Sequence, residues 1–398
     1  DLHRRRHSFP TRRSSDLGLL RSGLLITWFR CKGNATNDCL IACALNHNRS
    51  KLVSYRRLGY RFLLRRYLPQ WVRINILQHP ISTQYEMHSA LVYEPPGDSI
   101  HTIIAFPGLS VHGYRDHRMD AVARAFSYLG FRVIVPCISD IEQLIIHPST
   151  ISKFAALIEA IATHSELNPS HRQLGIFSAS YSGGVALLAA SHPQISSFIK
   201  AMCLIGTFAD FRNVIRFVLD QEEIDEYARF ILLRNLLSQS SYRNPEVIQL
   251  FDIAVADNGF KKKKPLLPYS LQNTSKEATH FFCQLLEDAF FRHQVTQSAL
   301  EEIDRREHWL NRFDLDKQLT HIDFSISLIH GYHDQVIPSH ESIFLHKRLA
   351  QLGKKSHLIL TSLLDHGDFV LNKNFFVETD KLAQGLGFFV HELCESTS

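Results

Sequence analysis

The chain has 398 residues, 45% hydrophobic and 21% charged, with 18 Gly and 14 Pro. Such a composition excludes a collagen, a coiled coil and a disordered chain, and the length suits one large domain or two medium ones. Lys and Arg number 44 against 39 Asp and Glu, with much of the excess in the first 70 residues; the basic balance is local and points to no nucleic-acid partner.

Residues 1–17 are read as a non-native or disordered leader, because His7 to Leu17, "HSFPTRRSSDL", looks like the translation of a common sequencing-adapter oligonucleotide. Residues 18–70 form an N-terminal extension. Its run from Leu17 to Phe29 is short and carries Arg21. It falls below the roughly 18 to 20 apolar residues of a membrane span, and reads as a packed piece of structure or a fragment of a signal or anchor. Cys31, Cys39 and Cys43, with His47 beyond, are the only cysteine cluster and lack a CxxC pair, so no zinc site is assigned. The seven cysteines are odd in number and scattered, which suits buried thiols in a reducing compartment and a cytoplasmic protein. Nothing in the sequence calls for a metal or an organic cofactor.

From Leu52 to Leu68, Leu52, Tyr55, Leu58 and Phe62 share one helical stripe, and Arg57, Arg61 and Arg65 share another. A basic amphipathic helix over 52–68 can pack on the domain with its arginines in water, the preferred reading, or make peripheral contact with an anionic membrane. Gly59 weakens it by about 1 kcal/mol relative to Ala.

From Trp71 onward short apolar runs alternate with helical stretches. "RINILQ", "HSALVY" and "HTIIAF" come first, then "RDHRMDAVARAFSYLG", "FRVIV", "STISKFAALIEAIATH", "QLGIF", "SGGVALLAASH" and "AMCLIG". This alternation predicts an α/β fold with a mostly parallel central sheet flanked by helices, begun by strands without helices between them. After Gly206 only helical runs appear until about His321, so 71–206 and 321–398 are read as two parts of one core and 207–320 as an inserted all-helical cap. Lys261 to Lys264, beside Pro265, reads as a solvated loop, with a docking patch for an anionic substrate as the alternative. Strand signals resume with "SISLIHG", a helix from Ser339 to Leu352, the strand "SHLILT" and a closing helix from about Thr379 to Cys394.

The strand "QLGIF" runs through "SASYSGG" into a helix, with Ser180 at the turn centre. A side chain at so sharp a turn is held clear of the sheet, and the helix behind it presents unpaired N–H groups where negative charge would develop. The flanking positions must be small, and they are Ser178, Ser182 and Gly183. Here the chain resembles the α/β-hydrolase superfamily, over roughly Trp71 to Ser398, with the helical insertion where that family carries its cap. The usual GxSxG appears as Ser178, Ala179, Ser180, Tyr181, Ser182, so serine replaces both glycines. Ser182 as nucleophile is the rival register.

The resemblance implies a Ser-His-Asp triad in the order Ser, acid, His. The loop "YHDQVIP" selects Asp334 as the acid, with Asp365 and Asp368 as weaker alternatives, and "SLLDHGDFV" selects His366. His330 and His333 are read as loop residues. The oxyanion hole would use the backbone N–H of Tyr181 and, from the Pro107-Gly108 pair in "FPGLSVHG", that of Leu109; His112 and Gly113 spell the family's dipeptide but lie farther from the strand end. The implied function is a serine hydrolase cleaving a carboxylic ester or thioester through an acyl-enzyme, with a small-molecule ester or acyl substrate. Phe208, Phe211, Phe217, Phe230, Phe281 and Phe282 of the insertion fit an apolar lid or its own core. Acyl transfer by the same residues and a non-catalytic binding module are the alternatives.

Overall fold

A computed structural model describes residues 51–67, 73–222, 224–365, 368–369 and 373–395. The leader 1–17, the Leu17 to Phe29 run, the Cys31, Cys39, Cys43 and His47 cluster, and His366 lie outside the described residues.

Eight strands form the central sheet: β1 (Asn75–Ser82), β2 (Met87–Glu94), β3 (Thr102–Phe106), β4 (Arg132–Pro136), β5 (Leu174–Ala179), β6 (Ile199–Ile205), β7 (Ser325–Gly331) and β8 (Ser356–Thr361). Their order is β1-β2-β4-β3-β5-β6-β7-β8. β2 runs antiparallel to both neighbours, and every pair from β4 to β8 is parallel. Strands covered on both faces read as continuous apolar runs, and β3 is buried at every residue. Its alternate side chains divide between two cores. Ile104 and Phe106 join Phe154, Leu157 and Ile161 of α4 (Ser149–Thr163), while Ile103 and Ala105 join Phe126 of α2 (His117–Tyr128) and Phe389 of α15 (Phe375–Cys394). The closing helix begins four residues before the expected Thr379.

The basic amphipathic segment is helix α1 (Lys51–Tyr67), and it crosses α15 with the two backbones touching. A Cβ on Gly59 would lie 1.8 Å from the Ala383 carbonyl oxygen, and one on Gly387 1.7 Å from that of Tyr55. Gly59 therefore gives up helix propensity for a close approach that only glycine permits. Tyr55, Leu58 and Phe62 are buried, and the Phe62 ring centroid lies 4.5 Å from that of Phe126. Arg57 and Arg65 point outward.

Between β6 and β7 the described residues hold seven helices: α7 (Phe211–Asp220), α8 (Glu226–Ser238), α9 (Pro245–Gly259), α10 (Leu267–Gln272), α11 (Lys276–Glu287), α12 (Ala289–Glu307) and α13 (Trp309–Arg312). The two ends of this insertion clasp each other at its neck: Phe211 N–H donates to the Phe313 carbonyl (3.4 Å) and Leu315 N–H to that of Ala209 (3.0 Å). Phe208, Phe211, Phe230 and Phe282 are buried, and Phe217 and Phe281 partly so, in an apolar cluster continuous with Ile104, Phe106 and Ile176 of the sheet. Among the described residues no helix is long and apolar enough to cross a membrane, and Cys137, Cys203, Cys283 and Cys394 are free thiols.

Candidate active site

β5 ends at Ala179 and helix α5 (Tyr181–Ala190) starts at Tyr181, leaving Ser180 alone to make the turn. It does so at φ 58° and ψ −137°, a conformation few non-glycine residues adopt. The turn is held from below by the Ser180 N–H, which donates to the Ile205 carbonyl (2.8 Å), and by Gly183 N–H, which donates back to Ser180 (2.9 Å). Close packing around the turn explains the small flanks. Ser178 is fully buried and donates to the Phe106 carbonyl (3.4 Å), and a Cβ on Gly183 would stand 2.9 Å from the Thr207 hydroxyl. Ser180 remains partly accessible, whereas the rival Ser182 is fully buried, its hydroxyl without a hydrogen-bond partner among the described residues. The Tyr181 ring lies under the neck of the insertion, its centroid 5.5 Å from that of Phe211 and 5.9 Å from that of Phe313.

The loop after β3 reaches this turn. A Cβ on Gly108 would lie 3.1 Å from the Ser180 Cβ and 3.8 Å from its Oγ, so the backbone leading to Leu109 runs directly beside the serine. Tyr181 opens α5, and its N–H is among the four that a helix leaves without an intrahelical partner. At His112 and Gly113 the backbone N–H groups are already used, by the Ser110 hydroxyl (3.2 Å) and the Ser110 carbonyl (2.9 Å). Asp116 secures the loop by accepting the Ser110 hydroxyl (2.7 Å), the Arg118 N–H (2.9 Å) and the Arg118 guanidinium. Burial alone would raise the Asp116 carboxyl, but Arg118 and Ser110 outweigh it and hold it well below the usual carboxylate range.

Asp334 follows β7 and is buried. Its Oδ1 accepts the N–H groups of Val336 and Ile337, both at 2.9 Å. Its Oδ2 faces Gly206 at the end of β6, where φ is +58° and an added Cβ would come within 3.2 Å of the carboxylate. His330 is not a loop residue: it occupies β7 and is fully buried. Its Nε2 lies 2.8 Å from the Ile337 carbonyl and 3.5 Å from Asp334 Oδ2, and its Nδ1 lies 2.7 Å from the Ser342 hydroxyl. A polar ring inside an apolar strand requires such partners, and that was the signal available in "SISLIHG". His333 is an exposed turn residue, as read. Asp365 belongs to a short ribbon in which β9 (Leu364–Asp365) pairs with β10 (Asp368–Phe369), Asp365 opposite Asp368. The ribbon crosses the end of β7, where a Cβ on Gly331 would meet the Leu364 carbonyl at 2.2 Å.

Strand order, the single antiparallel β2, the Ser180 turn between β5 and α5, and the helical insertion after β6 decide the architecture. The chain has the α/β-hydrolase fold. No family model matches the sequence, and no curated protein matches it. Among solved structures it is similar to a Pyrococcus horikoshii acylaminoacyl peptidase, at 12% identity and TM-score 0.49 over 85% of this chain and 44% of that one. It is also similar to a dienelactone hydrolase from Anabaena variabilis (12% identity, TM-score 0.43, 80% and 97% of the two chains). A Pyrococcus furiosus esterase is a third (12%, TM-score 0.45, 81% and 96%). The chain spans less than half the length of the peptidase.

Proposed function

We propose that this α/β-hydrolase fold is a serine hydrolase acting on a carboxylic ester or thioester. The observation that carries the reading is Ser180 at φ 58°, partly accessible, between the end of β5 and the start of α5. Backbone strain at a single polar residue points to a use for that residue. Asp334 stands two strands away, beyond β6. Two inter-strand spacings, about 10 Å, leave room for an imidazole with a hydrogen bond at each nitrogen, the place the sequence pattern assigns to His366.

In this mechanism His366 removes the Ser180 proton as Oγ attacks the acyl carbon. The tetrahedral oxyanion accepts the N–H groups of Tyr181 and Leu109. It collapses to an acyl-enzyme as His366 protonates the leaving oxygen or sulfur, and water, deprotonated by the same ring, releases the acid. Asp334 fixes the ring tautomer and steadies the imidazolium, its Oδ1 being already engaged by Val336 and Ile337. The insertion, joined to the core beside Tyr181, supplies a lid or acyl wall.

Labelling with a fluorophosphonate probe and peptide mapping test the assignment, with a p-nitrophenyl ester chain-length series in parallel. The expected adduct is on Ser180 and vanishes in Ser180→Ala together with ester turnover. A folded protein that takes no adduct would instead be a binding module, and an adduct on Ser182 would move the register.

A further inference from the structure

The lysine run of the insertion is a shaped loop. Asp257, buried near the end of α9, accepts the N–H groups of Leu266 (2.6 Å) and Leu267 (2.8 Å) on one oxygen, and its other oxygen pairs with the Lys262 ammonium (3.1 Å). One carboxylate thus clamps both limbs of the loop, and Lys261 turns it at φ 48°. Lys261, Lys263 and Lys264 are exposed and form no ion pair among the described residues. Beside them stand three large apolar side chains with high exposure: Phe260 at 49%, Leu266 at 52% and Tyr269 at 68%. Charge of one sign interleaved with exposed apolar groups is the chemistry of an interfacial membrane contact. A nucleic-acid backbone would match the lysines but leave Leu266 without a use.

The loop also sits next to the candidate site. The Phe260 ring meets His112 edge-on at 5.2 Å, and a Cβ on Gly259 would lie 2.8 Å from both Val111 and Tyr227. Val111 in turn belongs to the loop that passes Ser180 at Gly108. The geometry points to residues 260–269 as a docking surface for an anionic lipid membrane, with Lys261, Lys263 and Lys264 at the headgroups and Leu266 and Tyr269 at the apolar boundary. Helix α1 offers less: Tyr55, Leu58 and Phe62 are buried against the domain, and although Leu64 and Tyr60 are exposed, Tyr60 and Arg56 are both engaged by Asp380, each at 3.1 Å. Docking stands apart from the hydrolase reading; where both hold, the substrate is an ester presented by the membrane.

The test is sedimentation of the full chain with phosphatidylcholine vesicles containing 0 or 30% phosphatidylserine. The wild type, a triple Lys261→Gln, Lys263→Gln, Lys264→Gln variant and Leu266→Asp share every other basic segment. A lysine near such a surface strengthens partitioning about fivefold, so the triple variant is expected to bind anionic vesicles about a hundredfold more weakly. Wild-type binding should fall with added salt as the screening length shortens. Leu266→Asp should weaken binding about tenfold. Absence of wild-type binding, or variants that bind as the wild type does, would overturn the proposal, and loss only in Arg57→Gln, Arg65→Gln would transfer it to α1. Fluorophosphonate labelling of the same samples reads the hydrolase assignment separately, since it needs no vesicle.

Discussion

The core and the insertion are held together by different means. In the core, positions are set by main chain against main chain: the parallel ladder, the Gly59 and Gly387 approach of α1 to α15, and the strained turn at Ser180. The insertion meets the core through side chains: apolar packing of Tyr181 against Phe208, Phe211 and Phe313 at the neck, and polar side chains bonded to backbone. Asn235 donates to the Leu144 carbonyl (2.9 Å) and accepts from Ile146 N–H (2.8 Å), Gln239 donates to the Ile146 carbonyl (3.2 Å), and Glu341 accepts the N–H groups of Ala209 and Asp210 (both 2.9 Å). Ladders and backbone contacts yield only when the domain unfolds, whereas polar ties of about 1 kcal/mol each can open in part. The Ser180 turn belongs to the first set of contacts, and the insertion above it to the second.

The largest expected effect is on chemistry. Ser180→Ala should lower ester turnover by about 10⁴-fold or more, by analogy with serine hydrolases that lose their nucleophile, while changing the free energy of unfolding by no more than about 0.5 kcal/mol. An unchanged rate would remove the serine from the mechanism. Next comes Gly387→Ala, whose Cβ would sit 1.7 Å from the Tyr55 carbonyl oxygen. Overpacking against backbone that cannot turn aside should destabilise by about 3 kcal/mol, read from urea unfolding. A loss below about 1 kcal/mol would show that α1 can move away, and that the contact is not part of the rigid half.

Most of the core was legible because its signals are local. Apolar runs such as "HTIIAF" became buried strands, and "SASYSGG" became the turn at Ser180, since strand burial and turn sterics act over a few residues. Pairings between distant segments were not legible. Gly59 reads as a helix weakness until Ala383, more than 300 residues later, is seen against it. His330 reads as a loop residue until Ile337 and Ser342 surround its ring. Asp116 and Asn235 are unremarkable in sequence, and their importance comes from the Ser110 hydroxyl that Asp116 accepts and from the Leu144 and Ile146 backbone groups that Asn235 satisfies. The pattern "YHDQVIP" singles out Asp334, but the Val336 and Ile337 N–H groups that fix its orientation emerge only from the fold.

A moderate effect should separate the two halves directly. Asn235→Ala leaves the buried Ile146 N–H and Leu144 carbonyl without their side-chain partner, which should destabilise by about 2 kcal/mol. Native-state hydrogen exchange should place that loss in α8 and the 143–148 segment, with β3 to β7 unchanged. Uniform loss through the sheet would mean that the insertion and the core open as one unit. Smaller still is the gain from Ser180→Gly. Relief of the positive-φ strain, about 1–3 kcal/mol, exceeds the added chain entropy of glycine, about 0.5–1 kcal/mol, so stability should rise by about 1 kcal/mol while turnover is lost.

The smallest effect is the acid response, and it sharpens the comparison because each half has its own depressed carboxyl. In the insertion, burial would raise Glu307, but hydrogen bonds and charge from His147 and Arg306 outweigh it and leave the carboxyl below its ordinary value. In the core, burial would likewise raise Glu392, but His391, Lys355 and Ser325 bring it down to about 2. A carboxyl depressed on folding stabilises fully above its unfolded value, near 4.5, and that contribution fades as pH falls through the folded value. The His147–Glu307 pair is partly exposed, with a separation of 2.9 Å, and should contribute at most about 1 kcal/mol. On lowering the pH from 5 to 3 both contributions fade from about 4.5 downward, and the loss is smaller for Glu307 than for the more strongly depressed Glu392. Exchange in α12 and around His147 should therefore quicken less than exchange in β7, β8 and α15, and Glu307→Gln should erase the α12 response; a larger response in α12 would mean that the insertion, not the core, carries the acid sensitivity.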